Sequence, residues 1–262
     1  MPRKILGVIP ARFASSRFPG KVLAPIAGKP MLQHVYERAV MARYPTSTII
    51  ATDDERIVRA AREFGAPVRM TRTDHLSGTD RVAEVASAEA VDIVVNIQGD
   101  EPLIDPDAID AAILPMVHDR EMEMCTLKKR IEDVREIHDA NVVKVVTDRN
   151  GDAIYFSRCA IPWGSLPDGR GSDGAAAPYY KHIGLYVYRR DFLLGYSELP
   201  VGPLEKAERL EQLRALENGH RIRVVETDCV SLGVDTPEDL ERVSKLFEFS
   251  SHFLHGGVKV NG

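Results

Sequence analysis

The stretch DIVVNIQ, from Asp92 to Gln98, carries the strongest strand signal in the sequence. Its apolar, largely β-branched residues show no helical spacing, which predicts a short strand buried on both faces. Patterns typical of helices precede it at Asp80–Ala90 and follow it at Asp107–His118, the second with Pro106 at its start. A buried strand between two helices is typical of a sheet covered by helices on both faces.

The same alternation of strand and helix runs back to the N-terminus. The predicted elements there are strand Lys4–Pro10, helix Met31–Arg43, strand Thr48–Thr52, helix Glu55–Phe64 and strand Pro67–Thr71. Because parallel neighbours need a crossover connection, this order predicts an α/β fold with a mainly parallel sheet.

The second half of the chain is less regular. Two strands joined by the turn DRNGD predict a β-hairpin, and Trp163–Pro178, rich in Gly, Ala, Ser and Pro, predicts a mobile loop. Residues 251–262 are expected to form a flexible tail, and no linker divides residues 1–250, which predicts a single domain. The remaining predicted elements are hairpin strands Val142–Thr147 and Ala153–Ser157, strands His182–Tyr188 and Arg221–Glu226, and helices Leu204–Glu217 and Pro237–Phe249.

Composition excludes several classes of protein. The 262 residues carry a formal net charge of -5, whereas nucleic-acid scaffolds usually present a basic face. Cys125, Cys159 and Cys229 are scattered without a CxxC pair, which indicates reduced thiols in a cytosolic protein. No apolar stretch is long enough for a signal peptide or a membrane helix. We therefore expect a cytoplasmic protein with neither nucleic acid nor membrane as partner.

The stretch IPARFASSRFPGK, from Ile9 to Lys21, follows the first predicted strand and holds the cations Arg12, Arg17 and Lys21. In an open α/β sheet, ligands bind outside the carboxyl ends of the strands, where this loop lies. Arginine offers phosphate a planar fork of donors and lysine a compact charge, while Gly20 lets backbone N–H groups approach an anion. The loop is a candidate site for a triphosphate; the alternative is a solvated loop whose charges pair with carboxylates.

Two common nucleotide motifs do not account for this loop. A Walker A loop needs Ser or Thr after its Gly-Lys, but Val22 and Pro30 follow the two Gly-Lys pairs here. A formal GxGxxG at Gly169–Gly174 follows a loop instead of a strand, so we interpret it as a chance match. An NAD(P) oxidoreductase is therefore disfavoured.

Several motifs in order then indicate a family. IPARFASSRFPGK, HLSGTDR, NIQGDEP, YKHIGLYVYR, LEQLRALE and GVDTPEDL together resemble the signatures of sugar-nucleotide cytidylyltransferases, and among them of the 3-deoxy-manno-octulosonate (Kdo) cytidylyltransferases. The resemblance runs from Ile5 to Phe249. It implies a Rossmann-like nucleotide-diphospho-sugar transferase fold, with a nucleotide-binding part over residues 1–120 and a sugar-binding and dimerisation part, including the hairpin, over residues 121–230. It also implies a homodimer that activates Kdo with CTP and Mg²⁺ for lipopolysaccharide biosynthesis.

Two carboxylates are candidate metal ligands. Asp100 lies in QGDEP at the end of the strongest strand, and Mg²⁺ prefers one or two carboxylates together with phosphates and water. The alternative is that Asp100 only helps to form a turn before Pro102. In GVDTPEDL, Thr236 and the residues after it suit a helix start, which leaves Asp235 unassigned. The resemblance implies that Asp235 is the second Mg²⁺ carboxylate.

The resemblance also implies how the nucleotide is held. Arg12, Arg17 and Lys21 would bind the triphosphate, and Pro10 and Ala11 belong to the same signature. Because Lys21 is the last cation in the loop, we expect it to contact the α-phosphate. A second segment, HLSGTDR, precedes a helix, where small residues expose N–H groups to an anion or a base edge; an ordinary helix cap is the alternative. The further residues that the resemblance assigns to the cytosine nucleotide are Ser77, Thr79, Arg81 and Gln98.

The sugar side is assigned by the resemblance to five residues. Arg158 could meet the Kdo carboxylate bidentately, and His182 is either a ligand or a core histidine. Two of the residues lie in a helical pattern whose apolar stripe favours packing first, which leaves them as solvated surface residues in the alternative. The five are Arg158, His182, Tyr186, Glu211 and Gln212.

The rivals differ in substrate or in class. The same chemistry could act on a sialic acid or on 8-amino-Kdo, and the motifs favour Kdo over sialic acid but do not separate it from its amino analogue. A regulatory nucleotide-binding protein on the same fold is the non-enzymatic alternative, since fold does not imply function. The cationic loop and both candidate metal carboxylates disfavour it.

Overall fold

The structure is a computed structural model that describes residues 3–14, 18–163, 178–229 and 232–255. Its strands are β1 Ile5–Ala11, β2 Pro25–Ile26, β3 Lys29–Pro30, β4 Ser47–Thr52, β5 Val68–Met70, β6 Ile93–Asn96, β7 Met124–Arg130, β8 Lys144–Thr147, β9 Ala153–Ser157, β10 Tyr180–Arg189 and β11 Ile222–Glu226. Its helices are α1 Met31–Ala39, α2 Glu55–Glu63, α3 Gly78–Ser87, α4 Pro106–His118, α5 Arg135–His138, α6 Arg190–Tyr196, α7 Pro203–Glu208, α8 Leu213–Glu217 and α9 Pro237–His255.

The main sheet is mixed and has the order β11-β7-β10-β6-β1-β4-β5, with β8 and β9 attached beside β10. Its first part is parallel, because β1 pairs in parallel with both β4 and β6, and β4 with β5. Strand β10 then runs antiparallel between β6 and β7. The predicted α/β fold is confirmed: the sheet is mixed, and the predicted hairpin, β8–β9, joins it through the pairing of β8 with β10.

The direction of β10 brings its N-terminal half to the carboxyl end of β6. Tyr186 pairs with Asn96, the last residue of β6, so residues 180–185 extend past that strand end. A β-bulge interrupts the pairing with β7 between Ile183 and Tyr186. Bulges re-aim side chains and are frequent beside active sites. The sheet therefore gathers residues of both halves of the chain at one edge.

Apolar side chains cover both faces of the sheet. One core cluster packs α1, α2 and α4 against it, and a second packs α3, α6 and α8 against the opposite face. A third, smaller cluster joins α9 and the segment before it to β2 and α1 through Val234, Val243, Ile26 and Met31. Within the described residues, no helix is long and apolar enough to cross a membrane.

Local sequence accounts for the helix starts beside the strand ends. Asp54 caps α2 by accepting a hydrogen bond from the Arg56 backbone N–H, so the acidic run after β4 begins a helix as predicted. Ser77 and Asp80 form a capping box at α3. Asp105 caps α4, with Pro106 in its first turn.

The second half departs from the prediction at several points. Strand β7 and helix α6 have no predicted counterpart; β7 is buried from Met124 to Lys128 although its end is strongly cationic, which hid its strand pattern. The predicted helix Leu204–Glu217 is wrong as one element, because Arg209 adopts a left-handed conformation (φ 54°) that ends α7, and α8 begins only at Leu213.

The end of the chain also differs. Helix α9 continues to His255 instead of stopping at Phe249, so the first residues of the predicted tail are helical. Residues 256–262, most of the predicted mobile loop and the chance GxGxxG match lie outside the described residues.

Candidate active site

A cavity of about 380 Å³ opens at the carboxyl ends of β1 and β6. Its walls come from the loop after β1, the start of α3 and the loop after β6. The lining residues are Pro10, Arg12, Ala14, Lys21, Val22, Leu76, Ser77, Gly78, Gln98, Gly99 and Asp100. This edge of an open α/β sheet is where ligands are expected to bind.

Lys21 brings together the two predicted metal carboxylates. Its Nζ lies 2.6 Å from Asp100 Oδ2 and 2.9 Å from Asp235 Oδ1, and it also donates to the Val234 carbonyl oxygen at 2.9 Å. Burial alone would lower the pKa of Lys21, but the contacts with Asp100 and Asp235 outweigh it and raise that pKa above its ordinary value. Residues 214 positions apart in the chain thus meet at the cavity.

These oxygens suit Mg²⁺. The described residues contain no cluster of three or more His, Cys, Asp or Glu side chains that could hold a metal alone. Two carboxylates and a carbonyl already surround one cation, the Lys21 ammonium. Mg²⁺ typically takes one or two protein carboxylates and completes its shell with phosphates and water, so this donor set fits it.

Arg12 ties the loop after β1 to the segment before α3. Its Nη2 donates to the carbonyl oxygens of His75 at 2.9 Å and Ser77 at 2.7 Å. Burial, followed by the nearby charge of Arg81, lowers the pKa of Arg12. A cation that is partly desolvated and close to another cation favours an anion beside it.

Glycine permits close backbone packing at the cavity floor. A Cβ on Gly99 would lie 2.8 Å from the Pro10 carbonyl oxygen, a contact that real side chains do not make. A Cβ on Gly78 would contact the Pro10 ring at 3.7 Å. Strand ends β1 and β6 and the start of α3 therefore meet around Pro10. Ala11, the next residue, is buried and does not line the cavity.

Ser77 and Gln98 line the cavity, and Thr79 is buried beside it. The Ser77 hydroxyl accepts the Asp80 backbone N–H at 3.1 Å, so the predicted alternative of a helix cap holds alongside any ligand role. Gln98 Nε2 donates to Asn96 Oδ1 at 3.3 Å, which orients the amide at the end of β6.

Arg81 lies behind the cavity, fully buried. Its Nη2 contacts Asp53 Oδ2 at 2.6 Å, its Nη1 contacts the Thr71 hydroxyl, and its Nε has no hydrogen-bond partner among the described residues. The structure thus places Arg81 in an internal network instead of on the cavity wall. Its charge partner, Asp53, is not among the predicted site residues; the position of Asp53 directly after β4 was the available signal.

Glu211 and Gln212 lie in the turn between α7 and α8 and not on a helix surface. Within the described part of the chain, Glu211 Oε1 and Gln212 Nε2 are buried without a hydrogen-bond partner. Burial raises the pKa of Glu211, and contacts with Thr79, Arg214 and Ser77 offset this only in part. The alternative of solvated surface residues is wrong, because Gln212 is 4% exposed.

His182 and Tyr186 lie on β10 next to the bulge, and their rings are 5.3 Å apart. His182 Nε2 lies 3.0 Å from the Thr126 hydroxyl, which also lies within hydrogen-bond distance of the Ile183 and Leu185 carbonyl oxygens. A hydroxyl has one hydrogen, so it donates to a carbonyl and accepts from His182 Nε2–H. Burial lowers the pKa of His182 to about 3 and raises that of Tyr186 well above its ordinary value. Thr126, on the unpredicted β7, is a supporting residue that the sequence did not reveal.

Arg158 is not brought to the cavity lining. Its Nε donates to the Glu208 carbonyl oxygen at 2.8 Å and its Nη1 to the Ala140 carbonyl oxygen at 2.9 Å. These bonds hold the end of β9 against the end of α7. Arg17 lies outside the described residues.

A larger and more open depression, of about 530 Å³, lies on the other side of Leu76, between α3 and α6. Several of its charged residues pair with one another: Glu84 contacts both Arg72 and His75. Its lining includes neither Asp100 nor Asp235, so the smaller cavity is the candidate active site.

Comparison with known proteins gives consistent results. A family model described as Cytidylyltransferase matches residues 6–222. The 3-deoxy-manno-octulosonate cytidylyltransferase of Solibacter usitatus (strain Ellin6076) is 75% identical over 250 residues, covering 95% of this chain and 97% of that protein. The protein of the same name from Geobacter metallireducens (strain ATCC 53774 / DSM 7210 / GS-15) is 57% identical over 252 residues, covering 94% of this chain and 99% of that protein. A solved structure of CMP:2-keto-3-deoxy-manno-octonic acid synthetase complexed with CTP matches with a TM-score of 0.88 and 44% identity, covering 94% of this chain and 99% of that one.

Proposed function

This chain belongs to the family of 3-deoxy-manno-octulosonate cytidylyltransferases, and we propose that it transfers the cytidylyl group of CTP to Kdo. The products are CMP-Kdo and diphosphate, and the activated sugar serves lipopolysaccharide biosynthesis. The observation that carries the proposal is the position of Lys21 between Asp100 and Asp235 beside the cavity. A fixed cation and two carboxylates at one edge of the sheet suit phosphoryl transfer, in which negative charge must be stabilised. They do not form the general acid–base pair that a hydrolase would use.

Transfer requires the anomeric 2-hydroxyl of Kdo to attack the α-phosphorus of CTP. A new P–O bond forms to the sugar, the bond between the α-phosphorus and the bridging oxygen breaks, and diphosphate leaves with that oxygen. The hydroxyl proton passes to water. Negative charge on the transferring and leaving phosphates is what the protein must stabilise, and Arg12, Arg17 and Lys21 are the residues proposed for it.

Asp100 and Asp235 would hold Mg²⁺, which supplies charge neutralisation on the phosphates when bound. The two carboxylates converge on a single point without it, since both contact the same Lys21 nitrogen. Pro10, Ser77, Thr79 and Gln98 are proposed to hold the nucleotide, three of them on the cavity wall. Arg81 is proposed to support this wall through Asp53.

The sugar is proposed to bind toward Glu211, Gln212, His182 and Tyr186. Buried polar atoms that lack partners are costly, so Glu211 Oε1 and Gln212 Nε2 favour a ligand rich in hydroxyls. A neutral His182 would bind a hydroxyl, because its lowered pKa disfavours a charge pair with the Kdo carboxylate. Arg158 remains the proposed partner of that carboxylate, although its donors now serve Glu208 and Ala140.

The test is diphosphate release by the purified protein with Mg²⁺, CTP and Kdo. Parallel reactions replace Kdo by 8-amino-Kdo or a sialic acid, and CTP by UTP. We expect release with Kdo and CTP that stops when the metal is chelated. CTP binding without release for every sugar would contradict the proposal and leave a regulatory nucleotide-binding protein.

Two further features belong to the proposal. Light scattering of the purified protein tests the homodimer, and cell fractionation tests the cytoplasmic location expected from a CTP-dependent reaction. A monomeric mass in solution would contradict the proposed homodimer.

A further inference from the structure

The Lys21 ammonium is surrounded as a bound cation would be. Its three N–H donors meet three oxygens: a carboxylate oxygen of Asp100, one of Asp235 and the carbonyl of Val234, at 2.6, 2.9 and 2.9 Å. The side chain is 11% exposed. Carboxylate and carbonyl oxygens are also the ligands that hard divalent cations prefer. One set of oxygens therefore suits both the ammonium and a metal ion.

We infer that Lys21 is an internal competitor for the metal, occupying the Asp100–Asp235 pair until the nucleotide draws it away. This inference rests on the proposed function, which assigns those carboxylates to Mg²⁺. A divalent ion and an ammonium in contact with the same two carboxylates would lie within a few ångströms of each other and repel strongly in a poorly solvated site. Metal binding thus requires Lys21 to leave.

Contacts that do not involve Lys21 hold together the two segments that carry these oxygens. The Val234 N–H donates to the Asp100 carbonyl oxygen at 2.9 Å, which joins the segment before α9 to the loop after β6. Val234 is fully buried in the cluster with Ile26, Met31 and Val243. Asp235 is held further by its backbone N–H, which donates to Asp239 Oδ2 at 3.2 Å. Removing the Lys21 charge should leave these oxygens in place.

The cavity offers the Lys21 ammonium a second position. Lys21 also lines the cavity proposed for the nucleotide, together with Arg12. Lysine carries its charge on a flexible four-carbon stem, so the ammonium can exchange carboxylate oxygens for phosphate oxygens without moving the backbone. Nucleotide binding would then free the carboxylates, and by linkage the metal and the nucleotide would each strengthen binding of the other.

The test measures Mn²⁺ binding to nucleotide-free protein by electron paramagnetic resonance, with no turnover involved. Lys21→Met keeps an unbranched side chain that is one atom shorter and removes its charge. Lys29→Met is the matched control, because it makes the same change in net charge at an exposed site. The Lys29 Nζ lies 2.8 Å from a carboxylate oxygen of Glu37, whose side chain is also exposed. Asp100→Asn combined with Lys21→Met reports whether the ion binds at Asp100. Lys21→Gln is a second neutral variant in case the methionine variant does not fold by circular dichroism.

We expect the neutral Lys21 variants to bind Mn²⁺ more tightly than the unmodified protein, by on the order of tenfold or more, because the competent state is no longer a minor population. Lys29→Met should bind as the unmodified protein does, and the double variant should lose the gain. Equal or weaker binding by the neutral Lys21 variants would overturn the inference, as would a gain that persists without the Asp100 carboxylate.

Failure of the inference is distinguishable from failure of the proposed function. If the unmodified protein releases diphosphate with Mg²⁺ and Asp100→Asn does not, but Lys21→Met shows no gain in Mn²⁺ affinity, then the metal site stands and the competition does not. If Asp100→Asn retains full turnover, the metal assignment itself is wrong and the inference falls with it.

Discussion

The guanidinium of Arg12 donates from Nη2 to the Ser77 carbonyl oxygen at 2.7 Å, although 65 residues separate them in the chain. The same nitrogen contacts the His75 carbonyl oxygen, so one side chain fastens the loop after β1 to the turn that begins α3. These are two walls of the candidate active site. Arg12 thus braces the cavity, in addition to its proposed role in binding phosphate.

Arg12→Lys is expected to raise the KM for CTP by about tenfold, since losing charge-assisted hydrogen bonds costs about 1.5 kcal/mol. A lysine keeps the charge but cannot replace the planar fork. Steady-state kinetics with varied CTP measures the effect. Arg43→Lys is the control, because Arg43 is 80% exposed and lies away from the cavity lining. An unchanged KM for CTP in Arg12→Lys would contradict the bracing role.

Asp100→Asn is expected to lower turnover by roughly a hundredfold or more, because the amide cannot neutralise a metal ion or pair fully with Lys21. The melting temperature should change little by comparison, as the backbone contacts of this loop remain. Asp107→Asn, at an exposed position on α4 paired with exposed Arg43, is the matched control. Comparable losses in both variants would show that the effect is not specific to the site.

Gln212→Leu is expected to raise the KM for Kdo by about tenfold while leaving the KM for CTP unchanged. The same change should preserve or raise the melting temperature, because it removes a buried amide nitrogen that has no partner among the described residues. A preserved or higher melting temperature together with weaker sugar binding would indicate that Gln212 serves a ligand. Gln33→Leu, which removes an amide already paired with Glu37 at 2.8 Å, serves as control. A loss of stability without any change in the KM for Kdo would indicate a packing role.

His182 is expected to make the protein less stable as the pH falls from 7 to 5. Its pKa in the folded protein is about 3, below the ordinary value of 6.5, so the unfolded chain takes up a proton in this range and the folded chain does not. The stabilisation is complete above pH 6.5 and is lost progressively toward pH 3. Urea unfolding at both pH values measures it. His182→Gln should show a smaller decrease between pH 7 and 5 than the unmodified protein, and an equal decrease in both would contradict this role.

The first half of the fold could be predicted because each signal there is local. The strand at Asp92–Gln98 is apolar throughout, and the helix starts carry their own capping residues, such as Asp54 and Ser77. The second half gave weaker signals. The pattern of β7 is obscured by Lys128, Lys129 and Arg130. Both faces of this strand are covered, so its apolar and polar residues need not alternate, and its partners β10 and β11 are distant in sequence.

The Glu211–Gln212 turn shows why tertiary context overrides a helical pattern. The spacing of apolar residues from Leu204 to Leu213 is helical, yet Arg209 takes a left-handed conformation and the chain turns inward. Leu210 and Leu213 are both buried in the second core cluster. The helical pattern can therefore be interrupted between α7 and α8 without exposing either side chain. Nothing local marks that break, because Arg209 is neither Gly nor Asn.

The sequence by itself determined the α/β class, the family and the types of side chain available to the site, because these depend on local periodicity and on motifs read along the chain. Only the tertiary structure decided which of those side chains meet. Asp100 and Asp235 lie 79 and 214 positions after Lys21 in the chain. The three side chains converge because β1 and β6 are parallel neighbours and because the Val234 N–H joins the segment before α9 to the Asp100 carbonyl oxygen. The tertiary structure also placed Arg81, which pairs with Asp53, and Arg158, which donates to the Glu208 carbonyl oxygen, away from the residues that line the cavity. Charge and residue type are properties of a sequence, whereas distance and burial follow from packing.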